Sequence, residues 1–177
     1  MAMTDCSVKA GVSCSVRGVY PPQGVTGELN NFTVTQDGNV QVATLTYGTA
    51  SGKVDLITAS DRTLTAGATA TYDLYTGTDL KDLSGGTCAF RKVKFVEIMI
   101  VSGGDSSGVR IGGAAANIWP AFFADSSDKH LIFPSGPPYL GGSPAGVAVG
   151  AATCNLKLEN LGAASVTVRV VVAGTSV

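Results

Sequence analysis

The chain has 177 residues, enough for one domain with a sizeable core. Charged residues make up 14% of it, against roughly 25% in an average soluble chain, and 12 Lys and Arg stand against 13 Asp and Glu. That balance leaves no basic stripe for a phosphate backbone, so nucleic acid is excluded as the main ligand, and a net charge of -1 puts little repulsion between copies.

No run approaches the roughly 18 consecutive apolar residues that cross a bilayer. The first residues lack a charged segment followed by an apolar one, so the expectation is a soluble product made in the cytoplasm, without a membrane partner.

Residues 1–27 hold two of the four cysteines, Cys6 and Cys14, and the pair Pro21-Pro22, with weak alternation only over Ser13–Tyr20. They read as an N-terminal extended arm: either a tail outside the fold, or an extension that reaches a neighbouring subunit or adds an edge strand. A β-sandwich domain is expected over 28–177. Asn31–Gln36 and Val40–Tyr47 alternate and flank Asp37-Gly38-Asn39, a strong hairpin signal. Lys53–Thr58 and Ala68–Tyr75 read as short strands on either side of a turn-rich Ala59–Gly67. Thr78–Leu83 carries the one helical signal, a turn or two stopped by Ser84-Gly85-Gly86.

Cys88–Val101 is the longest strand signal. From Phe95 onward its only charged residue is Glu97, which predicts cover on both faces of its second half. Gly108–Gly112, Asn117–Phe123, Lys129–Phe133 and Val147–Val149 are shorter strand candidates, and Pro134–Pro144 reads as a long stiff loop. Cys154–Asn160 and Ala164–Val172, joined by Leu161-Gly162-Ala163, close the chain as a hairpin. About ten short strands, little helix and long crossovers predict an all-β fold, an antiparallel β-sandwich of jelly-roll type.

The motifs that touch chemistry are weak. Gly104-Asp-Ser-Ser-Gly108 matches G-x-S-x-G, but a nucleophile elbow needs a helix after its serine, and strand and turn residues follow here. The sole histidine, His130, is the only available base, with Asp125 or Asp128 to orient it. One histidine does not build a multi-His zinc site, and Asp125 with Asp128, like Asp79 with Asp82, lacks the EF-hand spacing for calcium. No enzyme, cofactor or metal is therefore expected. Asn31-Phe32-Thr33 is a glycosylation sequon without a secretion signal beside it. Cys6, Cys14, Cys88 and Cys154 form no CxxC pair and read as reduced core thiols, with Cys6–Cys14 or Cys88–Cys154 as alternative disulfides. Trp119, Phe122, Phe123 and Tyr139 are the candidate contact aromatics, for a subunit neighbour or for a sugar ring.

The succession Lys53-Val-Asp-Leu, Leu64-Thr-Ala-Gly-Ala, Tyr72-Asp-Leu, Asp79-Leu-Lys-Asp-Leu, Phe90-Arg-Lys-Val-Lys, Val109-Arg-Ile-Gly-Gly, Leu131-Ile-Phe-Pro-Ser-Gly, Leu156-Lys-Leu-Glu-Asn and Val168-Arg-Val-Val-Val-Ala-Gly174 resembles small virion structural proteins of tailed bacteriophages and prophages, over about residues 50 to 177. The resemblance implies a jelly-roll-like protein present in many copies in a particle, as a capsid, head-decoration, fibre or tail component. Its partners would be copies of itself and other virion proteins, and its location the virion. A closed trimer or pentamer is the expected assembly. The alternative is a carbohydrate or receptor-binding module with a lectin-like β-sandwich, whose partner is a glycan.

Overall fold

The computed structural model describes residues 43–82, 85–120 and 128–177, together with strands at residues 12–15 and 32–36. Every helix or strand among them is a strand, and none is a helix long and apolar enough to cross a membrane. The chain divides into two units, Met1–Thr46 and Tyr47–Val177.

In the first unit β1 (Val12–Ser15) pairs antiparallel with β2 (Phe32–Gln36), and β2 with β3 (Ala43–Tyr47). In register, Thr33 stands opposite Thr44 and Phe32 opposite Leu45. The Asp37-Gly38 signal thus lies between two strands that do pair, although the turn itself is outside the described residues. The division falls after Thr46, and the expected boundary at residue 27 lies outside the described residues. The rest of the expected arm is outside the described residues.

The second unit continues with β4 (Lys53–Val54), β5 (Leu56–Leu64), β6 (Thr69–Asp73), β7 (Lys92–Gly103), β8 (Val109–Gly112), β9 (Lys129–Ile132), β10 (Tyr139–Ala148), β11 (Asn155–Asn160) and β12 (Val166–Thr175). Of these, β5 to β12 build two four-stranded sheets, β10-β7-β12-β5 and β6-β11-β8-β9. All the pairings in both sheets are antiparallel. Successive strands cross from one sheet to the other at every step except β8 to β9.

Alternation decides what lies inside. Val166, Val168, Val170 and Val172 of β12 and Val96 and Ile98 of β7 share one cluster with Tyr72 of β6, Ile111 of β8 and Leu156 and Leu158 of β11. Each such side chain removed from water contributes about 1.5–3 kcal/mol, so the facing valine and leucine rows are the main source of cohesion between the sheets. Phe90, Leu74 and Leu80 join this cluster from the connection between β6 and β7.

Several strand expectations change in the structure. β5 runs through the predicted turn to Leu64, because Leu56 to Leu64 pair without a break along Gly174 to Val166; exposed Asp61, Arg62 and Thr63 mark an edge strand, not a turn. Within the helical signal at Thr78–Leu83, Thr78 and Asp79 form a turn and Lys81 a bridge with Thr87, while Leu83 lies outside the described residues. Leu80 is fully buried and its carbonyl accepts from Cys88 N at 3.0 Å, and this tertiary pairing outcompetes a single helical turn. In the described part of Asn117–Phe123, Ile118 bridges Asn155 and Trp119 N donates to Asn155 O at 3.1 Å; residues 121–127 lie outside the described residues. Part of the expected stiff loop belongs to β10, where Pro144 is tolerated because β10 is an edge strand with its register shifted between Gly142 and Val147. In β7 the stretch buried on both faces is Val93–Ile98, earlier than expected, and Val101–Gly103 are exposed.

Candidate functional site

Four loops meet at one end of the second unit: β5–β6, β7–β8, the start of β9–β10, and β11–β12. Asn160, 1% exposed at the end of β11, ties two of them. Its Nδ2 donates to Thr65 O at 2.9 Å and Ala164 O at 2.8 Å, with Leu64 O at 3.2 Å, while its Oδ1 accepts from Gly162 N at 3.0 Å. Its own N–H reaches Ala68 O at 2.9 Å. An amide is the one short side chain that supplies both the donors and the acceptor this position needs.

Asp105 ties the third loop. Its Oδ1 accepts from Ser107 N at 2.8 Å, closing a local Asx turn, and its Oδ2 accepts from Ala163 N at 2.7 Å across the loop gap. These N–H groups, Ser107 first, hold the carboxyl below its ordinary range. Gly104 N donates to Ser165 O at 2.9 Å and Leu161 N to Gly108 O at 3.1 Å. At Gly108, with φ +73°, a Cβ would lie 2.3 Å from Ile132 O and 3.0 Å from the Phe133 ring, so the fourth loop seats directly on it.

Upon this fixed frame sit the exposed large apolar side chains Phe133 (45%), Leu131 (38%) and Leu161 (38%). Strand alternation sends Leu131 away from the core that Ile132 enters. Leu131 stands opposite Arg110, and Arg110 opposite Glu159, on the outer side of the sheet. Arg110 Nη2 contacts Glu159 Oε2 at 2.6 Å and Lys157 Nζ lies 3.3 Å from the same oxygen, so two cations share one carboxylate beside the apolar residues. The Arg110 hydrogen bond holds the Glu159 carboxyl below its usual range. This combination of fixed backbone, exposed apolar side chains and paired charges is suited to contact with another surface.

The contact aromatics expected from the sequence lie elsewhere. Trp119 is 2% exposed, a core member whose Nε1 donates to Ala148 O at 3.2 Å. Tyr139 is also a core residue, with its ring 5.0 Å from that of His130. Neither presents a surface to a neighbour, and Phe122 and Phe123 lie outside the described residues. Ser106 and His130 are not brought together: Val109 faces Ile132 and Ile111 faces His130, so His130 lies down the strand while Ser106 sits beyond Val109 in the turn. Asp125 is outside the described residues. Among the described residues no three His, Cys, Asp or Glu side chains gather as a metal site.

Cys88 and Cys154 are buried free thiols, not a disulfide; the Cys88 thiol donates to Ile57 O at 3.7 Å and burial pushes it up to about 11. The side chains of Cys6 and Cys14 are outside the described residues. Asn160 and Asp105 had a sequence signal, an Asx residue two positions before the N–H it captures. Phe133 and Leu161 had none, since outward and inward apolar residues at a strand end look alike in a sequence.

No protein-family model, curated protein or solved structure matches this chain.

Proposed function

We propose that the chain is a non-enzymatic structural protein of a phage-like particle, a jelly-roll β-sandwich that associates with copies of itself through the loop end. The strand order supports the fold reading. With β5 to β12 counted as first to eighth, the first pairs with the eighth, the second with the seventh, the third with the sixth and the fourth with the fifth. That is one long antiparallel ribbon rolled onto itself, the double-sheet arrangement used by capsid and lectin domains alike.

A fold does not name a function, and the loop end carries the choice between the two. Phe133, Leu131 and Leu161 stand exposed on a frame fixed by Asn160 and Asp105, which suits a dry apolar contact better than a polar sugar. Few surface ions oppose such contact.

Light scattering of the full chain over a concentration series tests the reading. A discrete trimer, pentamer or larger shell supports it. A monomer at the highest concentration overturns it, and a glycan-array hit by that monomer would favour the lectin-like alternative.

A further inference from the structure

Lys94 is a buried lysine, 2% exposed, at the most irregular point of β7. On one side Phe95 faces Ala173 and Val93 faces Gly174; on the other Phe95 faces Gly142 and Val93 faces Val147. Lys94 is thus the unmatched residue of a bulge toward β12, and it faces the register shift in β10. Bulges of this kind re-aim a side chain. The lysine stem passes Gly146, where φ is +81° and a Cβ would stand 3.1 Å from both Lys94 Cγ and Lys92 Cβ.

The ammonium ends among carbonyl oxygens of one short segment, residues 49–53. Nζ donates to Lys53 O at 2.6 Å, to Ala50 O and to Thr49 O at 3.3 Å, which engages all three of its protons. The segment is further closed by Lys53 N to Ala50 O at 3.0 Å, Gly48 N to Val54 O at 2.9 Å and Gly52 N to Pro144 O at 3.0 Å on β10. Among the described residues no carboxylate hydrogen-bonds this ammonium; Asp55 and Lys92 act on it through space. A buried cation compensated by carbonyls alone is a costly way to fill space, because an apolar side chain would pack there without desolvating a charge. Its return is geometric: it gathers a backbone segment that has no apolar residue larger than alanine to hold it down.

We infer that Lys94 is a latch, a tethered cation that clamps the 49–53 strap, the turn between β3 and β4, onto β7 and β10. One side chain decides how firmly that turn is held there. The inference stands whether or not the loop end mediates assembly.

Hydrogen exchange and trypsin cleavage after Lys53, on the full chain, test it. In the wild type the Gly48, Gly52 and Lys53 amides are protected and the Lys53 bond resists trypsin. Lys94→Met keeps the length and removes the charge; it speeds exchange at those amides by about 10- to 100-fold, the scale of a charge-assisted hydrogen bond, while the β12 amides of Val168 and Val170 keep their protection. Lys94→Ala does the same, and propylammonium restores protection. Strap amides exchanging at free-peptide rates in the wild type would overturn the inference without any variant. So would an unchanged strap in Lys94→Met, or equal loss of protection in strap and β12.

Discussion

Replacing Asn160 by alanine removes one side chain and unties two loops. The two shorter Nδ2 bonds, at 2.8 and 2.9 Å, and the Oδ1 bond at 3.0 Å each contribute about 1 kcal/mol net, for an expected destabilisation of about 3 kcal/mol. Thr65 and Ala164 are exposed, so water reaches the abandoned carbonyls and keeps the loss from rising much higher. Urea unfolding should show the midpoint falling with the slope unchanged, because the same surface is exposed on unfolding. Asn160→Asp sharpens the reasoning. It places a carboxylate against the oxygens of Leu64, Thr65 and Ala164, so its folded-state pKa is raised above the unfolded value of about 3.9. A raised acid penalises the fold above the unfolded pKa, and its deficit against wild type must shrink as pH falls toward 4. A loss below about 0.5 kcal/mol in Asn160→Ala, or a pH-independent deficit in Asn160→Asp, would refute the role given to this amide.

Asp105 has its pKa lowered from 3.8, so what it contributes is complete above that pH and is lost as pH falls through its folded value. Protection of the Ser107 and Ala163 amides relative to their intrinsic exchange rate should therefore fall in acid, and Asp105→Asn should abolish that step. Changing Phe133 and Leu161 to serine should weaken self-association by about tenfold per residue with little effect on the melting temperature, checked by sedimentation and calorimetry. The thiols of Cys88 and Cys154 should resist alkylation at pH 8 in the folded chain and react on unfolding; rapid native labelling of Cys88 would contradict its burial and its pKa of about 11.

The sequence exposed the ladders better than their limits. β11 and β12 are readable because alternate Leu and Val fall on one face with a glycine loop between them. β5 lost its second half to a turn reading because Ser60, Asp61 and Arg62 resemble a loop until β12 is seen beside them. β10 was hidden by Gly141, Gly142 and Pro144, residues that only an edge position and a register shift permit. Trp119 and Tyr139 are contact candidates by residue type alone, but large aromatic rings also serve cores, and here both belong to the core. The site itself was legible as turn chemistry at Asp105 but not as a surface. Which of Ile132 and Phe133 faces outward is set by pairing with β8, long-range information that no local window holds.

The pairing of β5 with β12 also bears on how the second unit folds. β5, the first strand of these two sheets, is completed by their last, β12, which is not at an edge but between β7 and β5. During synthesis, β5 and β7 must therefore wait, with apolar faces uncovered, until more than sixty further residues have been added. Contacts so distant in sequence place this unit among slow-folding topologies, and its period of greatest exposure to misassociation comes before the final strand leaves the ribosome. Once in place, that strand seals both neighbours at once, and Ser176 just beyond it is held by Asp55 at 2.9 Å just before β5, which closes the circuit at its two ends.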